Sequence, residues 1–168
     1  YITSPILEVK GLDVQLTGGG TITLKQEADT GLNTALFQAL RAVDPVFGDG
    51  FVVSQGEVSV LRNVDNTIMG AGRILGQMTL VNEAGGEIKA GGQGGTLTDP
   101  SDGFRYTLSI ETYDFSISPS TTIRTFGHVT NRGLIHTADD AQIRFTQEIV
   151  DNTGGTIIAD GQFSVINL

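Results

Sequence analysis

The residues best suited to chemistry lie between positions 128 and 160. Asp139 and Asp140 are adjacent carboxylates, with His128 and Arg144 nearby. Acid-assisted cleavage of a glycosidic bond uses a pair of carboxyl groups, one donating a proton and one ionised. Asp139-Asp140 follows Ala138 where a turn is expected, so the plainer reading of the pair is a solvated turn. His128 and His136 are the only histidines. Their spacing places them on different strands with no third zinc ligand in view, and both read as surface residues. Asp139, Asp151 and Asp160 could hold an isolated calcium ion together with turn carbonyls. No spacing demands one, so no cofactor is expected.

The glycine-rich runs are poor loops for phosphate or calcium. Gly18-Gly19-Gly20 lacks a following Gly-Lys-Ser/Thr and leads into a strand rather than a helix. Gly91 to Asp99 is similar to a calcium-binding nonapeptide, but Thr96 stands where its Asp belongs, and no second copy follows. An ice-binding surface would need a flat Thr ladder in every repeat. Thr21, Thr23, Thr96 and Thr98 hint at one, but Asp65, Glu83, Arg132 and Asp151 interrupt it. Phe104, Tyr106, Tyr113 and Phe115 are the candidate binding residues, because aromatic platforms suit sugars. The chain has Tyr 3, Phe 8 and no Trp.

These side chains must be positioned by β-structure. In 168 residues there are 23 Gly, and Val, Ile and Thr number 13, 15 and 20. The glycine share is about twice the usual 7%. With no Cys, this composition excludes a disulfide scaffold and a Cys-ligated zinc site, and it argues against a helical bundle. The length suits a single domain spanning 1–168. The net charge is −9 and the basic residues are scattered singly, so a nucleic-acid partner is not expected. No apolar run is long enough for a membrane span, so no membrane insertion is expected. The chain opens at Tyr1 rather than Met, which reads as processing, excision from a longer protein, or partial coverage.

Self-similarity is the most informative feature. An apolar residue, a spacer, Asn and a Gly-containing turn recur at Val64–Gly70, Leu80–Ala90, Val129–Ile135 and Val150–Ala159. Asn66, Asn82, Asn131 and Asn152, with Gly85, Gly133 and Gly154, are the expected structural turns, since Gly and Asn tolerate positive φ. Asn side chains at equivalent turns can also hydrogen-bond in a ladder. A period near 20 residues is too short for a βαβ unit, which needs about 30 residues. It suits one coil of a parallel β-solenoid. The competing reading, Asn-Gly hairpin turns in an antiparallel sandwich, does not explain why whole segments recur. Two stretches break the pattern. Leu36, Phe37, Leu40 and Val43 have helical spacing, with Asn33 as N-cap and Pro45 as stop, which predicts a short helical insertion over about 33–44. Residues 99–120 read as a long irregular loop, a usual place for specificity.

The segments Val60–Ile74, Met78–Ala90, Val129–Ala138 and Val150–Ala159 resemble the degenerate repeats of large secreted bacterial surface proteins, the β-helical autotransporter passengers and haemagglutinin-like adhesins. The resemblance covers about two thirds of the chain and fails over 30–56 and 99–126. It implies an all-β right-handed parallel β-helix, an extracellular or cell-surface location, and a structural or adhesive module rather than an enzyme. The implied partners are further copies of itself, adjacent repeats of a longer parent chain, and a glycan or host-surface receptor. Polygalacturonase-like enzymes also use coiled β-folds, but the order and flanks of His128, Asp139, Asp140 and Arg144 do not match theirs. A carbohydrate-binding or carbohydrate-cleaving β-helix, such as a phage tail component, is the alternative. The strand pattern Phe163–Leu168 has no polar cap behind it, so that end is expected to be covered.

Overall fold

The computed structural model describes residues 6–9, 13–24, 36–39, 59–91, 106–118, 121–146 and 148–168. These residues form strands and turns, with no helix among them. The first coil is β1 (Ile6–Val9), β2 (Asp13–Leu16) and β3 (Thr21–Leu24). The second is β4 (Leu36–Ala39), β5 (Ser59–Asn63) and β6 (Thr67–Gly70). The third is β7 (Gly72–Gly76), β8 (Met78–Asn82) and β9 (Glu87–Ala90). The fourth is β10 (Tyr106–Ser118), β11 (Thr121–Asn131) and β12 (Leu134–Thr137). The fifth is β13 (Ala141–Phe145), β14 (Glu148–Asp151) and β15 (Thr156–Ala159), and β16 (Val165–Asn167) begins a sixth.

Each strand pairs in parallel with the strand three later in the chain. Three parallel sheets result, an arrangement consistent with a β-helix or solenoid. The first sheet stacks β1, β4, β7, β10, β13 and β16; the second β2, β5, β8, β11 and β14; the third β3, β6, β9, β12 and β15.

Like residues stack on like because strands pair in register about 4.8 Å apart. In the third sheet the row is Ile22, Ile68, Ile88, Ile135 and Ile157. In the second it is Val14, Leu61, Leu80, Val129 and Val150. The central members of both rows are buried, whereas Val14, Ile22, Val150 and Ile157 at the ends are only partly covered. No coil could bury these side chains alone; the core exists only between neighbours.

Two expectations are corrected. Leu36–Ala39, inside the expected helix at 33–44, is strand β4, lying between β1 and β7 with Phe37 opposite Ile74. Helical spacing is a weak local preference, and strand pairing on both edges overrides it. Asn33, Leu40, Val43 and Pro45 lie outside the described residues. Within the expected irregular loop at 99–120, Tyr106–Ser118 is strand, and 99–105 and 119–120 lie outside the described residues. Leu108 and Ile110 continue the first sheet between β7 and β13, and beyond Thr112 the strand pairs only with β11. There Tyr113–Ser118 and Thr121–Phe126 form an antiparallel hairpin that leaves the coil at the corner between two sheets.

Candidate functional site

The second sheet ends in a row of amides, buried at Asn63, Asn82 and Asn131 and exposed at Asn152. Asn63 Nδ2 donates to Asn82 Oδ1 at 2.9 Å, Asn82 Nδ2 to Asn131 Oδ1 at 2.9 Å, and Asn131 Nδ2 to Asn152 Oδ1 at 2.7 Å. The same amides reach the turn backbone, from Asn63 to Asn66 O and from Asn82 to Gly86 O and Leu134 O. The first member is therefore Asn63, three residues before Asn66. Asn66 instead accepts from Gly20 N at 2.8 Å, while Asp65 accepts from Gly18 N at 2.8 Å. The apolar-spacer-Asn signal is present twice in this turn, as Leu61-Arg62-Asn63 and as Val64-Asp65-Asn66. Only parallel pairing with Leu80 distinguishes them.

Glycine is required where the amides fill the turn. A Cβ on Gly86 would lie 2.4 Å from Asn82 Oδ1, and one on Gly155 would lie 2.5 Å from Asn131 Nδ2. At Gly133 it would meet Gly86 O at 2.3 Å. Gly85 and Gly154 occupy the outer part of the turn, and at Gly154 the demand is conformational, with φ +83 and open space around it.

Outside this row runs a line of charges that alternates coil by coil. Arg62 meets Asp13 at 3.1 Å and Glu83 at 3.4 Å, and Arg132 meets Glu83 at 3.0 Å. Asp151 closes the line. Its carboxyl is held below the usual range by hydrogen bonds from the Thr153 hydroxyl and backbone N–H, with a smaller contribution from the Arg132 charge. On the first sheet, Arg73 and Glu111 form a further cross-coil pair.

The third sheet carries the densest polar cluster on its outer face. Thr67 Oγ1 donates to Glu87 Oε2 at 2.7 Å, and His136 Nε2 donates to Glu87 Oε1 at 2.7 Å. Asp160 Oδ2 lies 3.5 Å from His136 Nδ1. Burial opposes ionisation of Glu87, but the hydrogen bonds from Thr67 and His136 and the charges of His136 and Lys89 outweigh it. Its carboxyl is held below the ordinary value. Thus His136, read above as a surface residue, is buried at 8% exposure. The cluster joins four coils and was hidden from sequence reasoning by the long insert between Glu87 and His136.

The other candidates are dispersed. His128 is exposed on the second sheet, Arg144 lies on the first, and Asp139 and Asp140 form the turn between the third and first. Asp139 Oδ1 accepts from Gln162 N at 2.6 Å. Among the described residues no three His, Cys, Asp or Glu side chains gather as a metal site. Tyr106 pairs with Ala141 in the first sheet, whereas Tyr113 and Phe115 occupy the hairpin, opposite Phe126 and Arg124. Phe104 lies outside the described residues. The hairpin root is fixed: Thr112 N donates to Glu148 Oε1 at 2.8 Å, and a Cβ on Gly127 would lie 2.3 Å from the Thr112 carbonyl oxygen.

The last coil presents large apolar side chains to solvent, namely Ile149, Ile158, Phe163 and Leu168. No protein-family model, curated protein or solved structure matches the chain.

Proposed function

We propose that the chain is a non-enzymatic segment of right-handed parallel β-helix in an extracellular bacterial surface protein or filament. In this reading it is a stiff, adhesive stalk whose ends stack on further coils. The observation that carries the reading is where the polar side chains are spent. Asn82 is committed to Asn131, Glu83 to Arg62 and Arg132, and Glu87 to Thr67 and His136, each bond tying one coil to another. The hairpin of β10 and β11 departs from that plan and is the proposed contact element for a host-surface protein receptor. The resemblance to surface-adhesin repeats supports the location and rests on the residues alone.

Tyr113 and Phe115 on the hairpin strand favour one second reading, a carbohydrate-binding or carbohydrate-cleaving β-helix of the phage-tail type. A glycan array run with the intact chain and with Tyr106→Ala and Tyr113→Ala separates the two. The scaffold reading expects no glycan binding that depends on these tyrosines. Binding that both substitutions abolish, or release of shortened sugars, supports the carbohydrate reading instead.

A further inference from the structure

The two ends of the stack are chemically unlike. At the last coil, Asn152 accepts from Asn131 at 2.7 Å, and among the described residues its own Nδ2 has no acceptor. Beside it Asp151 ends the alternating charge line on an acid. Val150, Ile157 and Ile166 are only partly buried, and the edges of β14, β15 and β16 facing away from the stack are unpaired among the described residues. At the first coil the equivalent positions differ. Register places Leu16 opposite Asn63 and Gln15 opposite Arg62, and the charge line begins on Asp13.

We infer that the β14–β15–β16 end is built to take a further coil bearing Asn opposite Asn152 and a cation opposite Asp151, and not the first coil of a second copy. Head-to-tail stacking of two copies would set Leu16 on Asn152, covering an amide donor with an apolar side chain. An amide donor buried in that way loses its hydrogen bonds to water and gains none in return. It would also bring the carboxylate of Asp13 to the coil of Asp151. A coil with Asn and Arg does the reverse: it extends the amide row and continues the sign alternation. The chain already contains one, because Arg62-Asn63 on β5 stand at those register positions. The inference rests on the stacked-coil part of the reading above and adds the chemistry of the neighbour.

The test appends to Leu168 of the full chain a copy of residues 75–77, which continues β16 from the register position of Ile74 through the corner that Gln77 provides, followed by a copy of residues 59–76. A second version carries the same graft with Arg62→Gln and Asn63→Leu in the copy, the pair that β2 presents. Hydrogen exchange then reads the backbone amides of β14 and β15. The first graft is expected to slow their exchange by about tenfold or more relative to the second. Equal exchange with the two grafts overturns the inference. Sedimentation of the unmodified chain is the independent measurement. It should show no end-to-end growth, and growth into head-to-tail oligomers overturns the inference as well. Neither measurement involves glycan or receptor binding, so failure of the adhesive reading is distinguishable from failure here.

Discussion

His136 Nε2 lies 2.7 Å from Glu87 Oε1 although 49 residues separate them, and the same 49-residue offset separates Asn82 from Asn131 and Glu83 from Arg132. Neighbouring coils without an insert are offset by 19 or 21 residues in the amide row. The long interval between the third and fourth coils, which includes the hairpin of β10 and β11, therefore leaves the pairing intact: Asn82 stands opposite Asn131 and Glu87 opposite Leu134, so the bond between Glu87 and His136 runs diagonally across neighbouring coils.

The amide row predicts a sharp distinction at Asn82. Asn82→Ala removes the donor to Asn131 Oδ1, Gly86 O and Leu134 O, and should cost about 1–3 kcal/mol. Asn82→Asp should cost more, because a carboxylate would then face three oxygen acceptors in a buried site. Urea titration of the three proteins gives the order. Equal midpoints for Asp and Asn at this position would remove the row from the stability account.

Glycine substitutions should separate crowding from conformation. Gly154→Ala meets no atom but forces a left-handed backbone on alanine, a cost of roughly 1–2 kcal/mol. Gly86→Ala drives a methyl into Asn82 Oδ1 and the Asn63 carbonyl at 2.4 and 2.5 Å. Backbone cannot yield there, so the expected loss is about 3 kcal/mol, at the upper end for overpacking. Thermal melts showing Gly154→Ala as the worse variant would contradict the geometry.

The isoleucine row should show position dependence. Ile135 is fully buried between coils, and Ile135→Ala should cost about 2–5 kcal/mol. Ile157 sits in the last described coil of that row and is partly covered, so Ile157→Ala should cost roughly half as much. Chemical denaturation of the pair measures the ratio. A ratio near one would mean that the last coil is packed as tightly as the interior.

The Glu87 cluster sets an acid limit. Its carboxyl is held below the ordinary value of 4.5, so folding favours the ionised form. The stability it contributes is full above the unfolded value and is lost as pH falls through the lower folded value. Stability measured from pH 7 downward should therefore fall more steeply below about pH 4.5 in the parent than in Glu87→Gln. Parallel profiles would show that Thr67 and His136 do not favour the ionised carboxylate.

What was legible in the sequence follows from which contacts are local. The β-branched composition and the recurring Asn and Gly reflect requirements met within each coil, and these signal stacked β-structure of short period. Leu36–Ala39 misled because its spacing satisfies a helix locally, while the pairing to Ile6–Val9 and Arg73–Gly76 that decides its state is remote. Asn66 stood in for Asn63 because two consecutive triplets fit one pattern, and only the partner strand selects between them. Gly85 and Gly154 drew attention as turn formers, whereas Gly86 and Gly155 carry the steric demand of amides from the neighbouring coil. The Glu87–His136 contact had no signal at all, since an insert hides the repeat that would align them.

The amide row also has a mechanical meaning. Its hydrogen bonds, like those of the three sheets, run from coil to coil, so a pull applied to the two chain ends loads neighbouring coils one after another rather than together. Unwinding should proceed as discrete steps. An uninterrupted coil of 19 or 21 residues releases about 65–75 Å of chain, and the interval of 49 residues releases about 165 Å. The first and second coils are likewise 47 residues apart, Leu16 opposite Asn63, so a force–extension trace would carry two long steps among short ones. A stack built this way lengthens under load by shedding coils, and it absorbs work before its ends part.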